Sequence, residues 1–396
     1  MADARENAVG TEIVVDVGAV AHGGFCVARH EGRAVFVRHS LPGERVRAVV
    51  TEGTSRSRYW RADAVEVLEP SPDRVIAPCR YAIPAGCGGC DWQHVSLAAQ
   101  RRLKGAVVAE QLSRLAGVSL DVAVEAVAGD EDGLVWRTRV RFAVGPDGRA
   151  GLRRHRAHEV IPIEDCLIAH PDVGSRDVLR GRWGEGEEVL VAASSTGQRA
   201  LVVDGRTVAG PETVAERAAG RSWQVAADGF WQVHPGAADT LATAVLDALR
   251  PSEGESALDL YAGVGLFAGA VGERVGPAGA VAAIESDRQA VADARLNLLD
   301  MPWVKVVSGR VDRRLRSRPT ALVVLDPPRS GAGATVVRRV VDCEPRAVAY
   351  VACDPATLAR DVATFGAAGY RLSSLRAFDL FPMTHHVECV ALLHPE

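Results

Sequence analysis

The stretch from Ala257 onward constrains the fold more than any other part of the chain. ALDLYAGVGLFAGAVGE reads as an apolar strand, a glycine-rich turn and a helix. AGAVAAIESD supplies the next strand and RQAVADARLNLL the next helix. TALVVLDPPR, AVAYVACD and HVECVALLHP are three further apolar runs, and a helix is expected before them at about Ala237–Leu249. Short apolar runs alternating with helical periodicity specify a doubly wound, mostly parallel sheet of the α/β class. Such sheets bind ligands beyond the carboxyl ends of their strands. Asp259, Gly263 and Gly265 fall at the first such end, where glycines let backbone N–H groups approach a ligand at a helix N-terminus. Glu285 ends the following strand, where an acid addresses ribose hydroxyls. Asp326 and Cys353 end the next two, so all should share one crevice. The spelling D-x-x-x-G-x-G leans toward S-adenosylmethionine rather than a dinucleotide. A glycine turn without a ligand is the plain alternative.

The upstream half is different. Residues 10–68 read as all-β: TEIVVDVGAV alternates, HGGF breaks it, and short strands follow between the EGR and LPGE turns. A small barrel of the OB type fits, and such barrels bind oligonucleotides. SPDRVIAP reads as a linker and Leu97–Ala116 as a helix. Residues 122–220 form a second β-rich region. The expected division is 1–69, a β-barrel; 70–220, a central β-rich domain with a cysteine cluster; and 221–396, the α/β domain.

A net charge of −4 excludes a globally basic nucleic-acid binder. Local charge points the other way. Arginines crowd residues 29–61, and SRSRYWR interleaves them with Tyr59 and Trp60, as suits phosphates and stacked bases. WRTRVRF and GLRRHRAHE form a second basic cluster. For either cluster alone, a solvated charged face is an even alternative; two together favour RNA or DNA. No apolar run is long enough to span a bilayer, and MADARENAVGTE lacks the pattern of a secretory signal. A cytoplasmic monomer is expected.

In that compartment clustered cysteines argue for metal or catalysis, not disulfides. Cys79, Cys87 and Cys90, spaced C-x7-C-x2-C, with Cys166 far downstream, are four candidate ligands for zinc or an iron–sulfur cluster. Cys26, Cys343 and Cys389 read as ordinary small hydrophobes. Cys353 stands apart. A core thiol belongs mid-strand; this one sits at the rim of the sheet, where thiolate character is tunable.

Four stretches resemble the S-adenosylmethionine-dependent RNA 5-methyluridine methyltransferases: FWQVHPG, DLYAGVGLF, the pair LDPPR and VACDPATLARD, and FPMTHHVECVALL. The N-terminal unit, with HGG, AVFV and LPGE, resembles a TRAM domain. The resemblance implies a C-terminal Rossmann-like methyltransferase domain behind a TRAM barrel and a β-rich centre. It implies Cys353 as nucleophile and Glu388 as general base; His385 and His386 are rival bases, ranked lower as supporting residues. Gln232, Tyr261, Glu285 and Asp326 would hold the cofactor, and Asp326 would also help position the uracil. CGGCDWQH is similar to that family's [4Fe–4S] motif, with a longer first gap, and this places the cluster ahead of zinc. By family analogy the RNA is 23S rRNA rather than tRNA. The residue types suit the chemistry: a thiolate adding to carbon 6 of uracil makes carbon 5 nucleophilic, and a carboxylate then removes the carbon 5 proton.

Four positions depart from the pattern. His234 replaces an Asn and is expected to start a helix. Leu266 replaces a polar residue that contacts the cofactor. Arg310 replaces an acid that addresses the adenine. Asp354 replaces the Asn after the nucleophile and would raise the Cys353 pKa unless paired; activity should survive it. Two rival readings remain. An exocyclic-amine RNA methyltransferase would carry Asn where Asp326 stands and needs no Cys353. A non-catalytic RNA-binding protein with a vestigial cofactor site rests only on the departures.

Overall fold

The computed structural model describes residues 7–129 and 132–396. The first six residues, part of the stretch read for a secretory signal, lie outside it. Strands β1 (Glu12–Ala21), β2 (Phe25–His30), β3 (Arg33–Arg38), β4 (Arg45–Glu52) and β5 (Tyr59–Glu69) close into a barrel in the order β1-β2-β3-β5-β4. Alternation drives the closure. Ile13, Val15 and Val17 point inward, and Val15 lies opposite Val46 and Ile13 opposite Ala48. The expectation that Tyr59 and Trp60 both serve stacked bases is corrected. Adjacent strand residues face opposite sides, so Tyr59 is 43% exposed while Trp60 fills the barrel, 8% exposed. The Trp60 indole N–H donates to the Thr54 carbonyl at 2.9 Å.

Helix α1 (Leu97–Ala116) forms where its spacing predicted and ends on Gly117 in the left-handed conformation. A two-residue strand, β6 (Val124–Glu125), follows. The central sheet comprises β7 (Arg139–Val144), β8 (Ala150–Arg153), β9 (Val160–Pro162), β10 (Glu188–Ala193), β11 (Arg199–Val203) and β12 (Arg206–Ala209), with the short helix α2 (Ser175–Arg180) on its path. Its order is β12-β11-β10-β7-β8-β9. A separate hairpin, β13 (Thr213–Ala218) and β14 (Arg221–Ala226), spans the division expected at residue 220. Its Trp223 is buried against the C-terminal core.

The C-terminal half comprises α3 (Ala237–Leu249), β15 (Ser256–Leu260), α4 (Leu266–Val275), β16 (Ala280–Glu285), α5 (Arg288–Asn297), β17 (Val304–Ser308), α6 (Val311–Arg314), β18 (Leu322–Leu325), α7 (Gly333–Val341), β19 (Ala347–Ala352), α8 (Pro355–Gly366), β20 (Tyr370–Phe378) and β21 (Glu388–Pro395); the alternation is the expected one, while β17, α6, α7 and β20 were not foreseen. The sheet order is β17-β16-β15-β18-β19-β21-β20-β6. The chain leaves β15 in one direction and returns to β18 on the other side, so a topological switch point opens beyond the ends of these two strands. β21 inserts antiparallel between β19 and β20. Helix α1 packs on α8, and β6 pairs parallel to β20, so both complete this sheet rather than the central one.

Candidate active site

Of the residues expected to hold the cofactor, Tyr261, Glu285 and Asp326 lie at the switch point, at or just beyond the ends of β15, β16 and β18. Glu285 caps the first turn: its Oε2 accepts the Gly263 N–H at 2.9 Å and its Oε1 the Asp287 N–H at 2.7 Å. The turn is tight. Gly265 has φ +95°, and a Cβ there would meet Leu298 Cδ1 at 2.8 Å. Tyr261 takes φ +67°, an uncommon conformation for a side chain of its size. Burial, with Asp312 and Asp361 nearby, pushes its phenol up to about 12. Asp259 is buried; one carboxyl oxygen accepts the Ala268 N–H at 2.7 Å, and the other has no hydrogen-bond partner. Burial lifts it to about 7, with Asp326 and Glu285 adding to the rise against the Ala268 hydrogen bond. Asp326, just past β18, is also lifted to about 7 by burial. Gln232 is half-buried on the loop between β14 and α3. That loop is held by Arg139, which donates to the Ala227 and Gly229 carbonyls at 3.1 and 2.8 Å. An orphaned carboxyl oxygen beside a glycine turn fits a ligand rich in hydroxyl and amino donors, such as S-adenosylmethionine.

The departures find physical reasons. Leu266 is buried in the main core and replaces a polar contact with packing. Arg310 is paired with Asp312 through two bonds of 3.0 and 2.9 Å, so an acid does stand at this rim, two residues on. His234 does not start a helix: α3 begins at Ala237, and the His234 ring is buried, accepting the Gly236 N–H at 3.1 Å. Its burial lowers it to about 4, so it stays neutral.

Cys353 follows the last residue of β19 and is half-buried, whereas Cys26, Cys343 and Cys389 are buried. Because β21 runs antiparallel, its first residue, Glu388, reaches the same rim, and Ala352 sits opposite Cys389. Sequence reasoning set Glu388 against an edge-strand surface charge. The structure makes it interior, 4% exposed. Burial raises the thiol to about 11, with Glu388, Asp326 and Asp354 adding and Arg329 opposing. Burial and Asp326 hold the Glu388 carboxyl well above its ordinary range, again with Arg329 opposing. Asp326 therefore borders both the cofactor crevice and the thiol.

A cavity of about 100 Å³ opens at Cys353. Its walls include Arg329, Asp354, His385 and His386, and also His22, Gly23 and Gly24 from the β1–β2 turn of the barrel. Gly24 has φ +81°, and a Cβ there would lie 3.0 Å from the His385 Cβ. His385 Nδ1 is 2.6 Å from Asp91 Oδ2, and Arg38 of β3 lies 3.5 Å from Asp91 Oδ1. His386 is lowered to about 3, chiefly by burial, with His385 and Arg329 adding. Neither histidine is positioned as a free base: one is tied to Asp91, and the other stays neutral beside Arg329, at 3.4 Å. Sequence reasoning missed His22, Asp91 and the counter-charge role of Arg329. Only Arg329 had a local signal, its place directly after Asp326-Pro327-Pro328.

The four outlying cysteines converge more loosely. Burial raises the Cys87, Cys90 and Cys166 thiols; neighbouring cysteines, Cys79 among them, add to the rise, and Arg137 opposes it at Cys87 and Cys166. The Gly89 N–H lies 3.4 Å from Cys87 Sγ, and the Gln93 amide 3.4 Å from Cys90 Sγ. Among the described residues no three His, Cys, Asp or Glu side chains come together closely enough to hold a metal ion. The donor set is chemically suited to a thiolate-bound group, but the geometry is not that of a closed ion site.

Comparison with known proteins agrees with this reading. A family model for tRNA (uracil-5-)-methyltransferase matches residues 308–396, and one for the TRAM domain matches residues 6–65. A Streptomyces avermitilis protein named as an uncharacterized RNA methyltransferase is 50% identical, over 98% of this chain and 99% of that one. A Bifidobacterium longum protein with the same designation is 38% identical over 93% of each chain. The crystal structure of a Pyrococcus abyssi tRNA (uracil-54, C5)-methyltransferase with S-adenosyl-L-homocysteine superimposes with a TM-score of 0.72 at 23% identity, covering 95% of this chain and 100% of that one. At that identity the likeness establishes the fold. No helix among the described residues is long and apolar enough to cross a membrane. The relatives, the two family models and the crevice at the switch point together place this chain in the TRAM-bearing, S-adenosylmethionine-dependent RNA (uracil-5-)-methyltransferase family.

Proposed function

We propose that the protein methylates carbon 5 of one class of uridine in structured RNA, using Cys353 as nucleophile and Glu388 as general base. The observation that carries this reading is the convergence of Cys353 and Glu388 on one rim, from the end of β19 and the start of an antiparallel β21. The Cys353 thiolate adds to carbon 6; after carbon 5 is methylated its proton passes to the Glu388 carboxylate, whose raised pKa makes it a stronger base, while the sulfur–carbon 6 bond breaks and the thiolate leaves. Bound S-adenosylmethionine supplies a methyl group carried on a sulfonium. Gln232, Tyr261, Glu285 and Asp326 hold it, with Asp259 offering its unpartnered oxygen. The uracil enters the cavity at Cys353 as an extruded base. The barrel and the basic segments hold the RNA.

23S rRNA remains the favoured substrate, from the pairing of a barrel with a cysteine loop. tRNA is the second reading, supported by the names of the matched family model and of the solved Pyrococcus enzyme. Cys79, Cys87, Cys90 and Cys166 are proposed to hold a [4Fe–4S] cluster, with zinc the alternative. Iron and sulfide analysis of anaerobically purified protein decides this point. A cytoplasmic monomer is proposed.

The test is nucleoside mass spectrometry of unmethylated rRNA and tRNA incubated with the protein and methyl-labelled cofactor. Labelled 5-methyluridine in one pool identifies the substrate. Label in another nucleoside overturns the Cys353 mechanism. Replacing the target with 5-fluorouridine should trap a covalent complex that Cys353→Ala does not form.

A further inference from the structure

The barrel turn contributes one side chain to the reaction cavity. His22 Nε2 lies 3.0 Å from Asp354 Oδ2, across 332 residues of sequence. The other oxygen of Asp354 accepts the Thr357 N–H at 2.8 Å, capping α8. Both carboxyl oxygens of the residue next to the nucleophile are therefore engaged. Burial alone would raise this carboxyl, but the hydrogen bonds from His22 and Thr357 outweigh it and hold it at about 2. It is a fixed negative charge beside a thiol that must lose a proton.

We propose that His22 is a positioning residue of the reaction centre: with the Thr357 N–H it clamps Asp354 and keeps its charge from turning further toward Cys353. The barrel thus completes the site in addition to gripping RNA. This rests on the reading of Cys353 as the reacting thiol. The departure at Asp354 is thus compensated by a histidine reaching it from the barrel. Without His22, the Asp354 Oδ2 is released into the cavity that both residues line. A nearby like charge disfavours the thiolate.

The thiol is faced by Asp354 at its own strand end and by Asp326 and Arg329 from the loop after β18. Glu388 and Cys389 face it from β21. His385 and His386 line the same cavity from the 383–387 segment, and His22 lines it from the barrel. Only the His22–Asp354 contact is changed by substitution at residue 22 that keeps the others in place.

The test is the pH dependence of Cys353 alkylation by iodoacetamide, read on its own peptide by mass spectrometry. The thiolate displaces iodide from carbon, so the rate follows the ionised fraction. His22→Ala should move the midpoint up by about one pH unit, slowing labelling about tenfold below it. His22→Gln, which keeps an N–H donor, should restore the wild-type midpoint. In an Asp354→Asn background, His22→Ala should change the rate less than about twofold, since there is no charge left to turn. An unmoved midpoint in His22→Ala overturns the proposal. So does an equal effect in the two backgrounds, which would mean that His22 only docks the barrel. The assay needs neither RNA nor cofactor, so its outcome is separate from that of the trapping experiment with Cys353→Ala.

Discussion

Burial raises both the Cys353 thiol and the Glu388 carboxyl, and the Glu388 charge adds to the rise at the thiol. Arg329 is the cation that opposes both shifts. Arg329→Gln should therefore lower methyl transfer near pH 7 about tenfold and move the rising limb of the pH–rate profile toward alkaline pH. A profile that keeps its position with a lower plateau would assign Arg329 to RNA contact instead. Asp259 gives a stability test. Its folded pKa, about 7, lies above its unfolded value. Below about pH 4 the carboxyl is neutral in both states and costs nothing. As pH rises toward 7 the unfolded state ionises first, and stability falls. Asp259→Asn should thus stabilise the cofactor-free protein by about 2 kcal/mol at pH 8, with little effect near pH 4. Urea denaturation at the two pH values reads the difference, and the same variant should lose cofactor affinity.

The central strands of the C-terminal half were legible because their apolar runs are buried on both faces, whereas β17 and β20, partly exposed and polar in places, were missed. β15, β16, β18 and β19 fall where the apolar runs predicted them. The direction of β21 was not legible, since an apolar run reads the same parallel or antiparallel. That direction is what turns Glu388 from a surface charge into a buried one. Trp60 was misplaced because composition, rather than strand alternation, guided its reading. His22 and Asp354 meet only through the docking of two units, and no local pattern announces such a pair. Helix α1 offers a test of how the segment before Glu388 is held. Lys104 Nζ is 2.5 Å from Asp379 Oδ1 and 3.0 Å from the Phe381 carbonyl, with both ionic side chains buried. Lys104→Met leaves the buried Asp379 with the more distant Arg101, 4.0 Å from its Oδ2, and should cost about 3–5 kcal/mol. A midpoint unchanged in urea would show that Asp379 finds another partner.

Across the whole molecule, arginine and aromatic side chains form a path toward the cavity. Arg61 lies over Tyr59, Phe36 and Phe25, with Phe25 5.0 Å away. Arg156 of the central region lies 5.9 Å over the same Phe25. Phe25 adjoins the turn that carries His22 and Gly24. Tyr59→Ala should weaken RNA binding by about 1–3 kcal/mol through lost stacking, with the fold intact by circular dichroism. Unchanged affinity would move the RNA to another face. The insertion of β21 also has a consequence in time. A ribosome makes β19 and β20 before β21, so for a period the emerging chain holds two strands with a vacant lane between them. Until the later strand fills that lane, unsatisfied edges lie open to other chains, and Cys353 has no Glu388 opposite it.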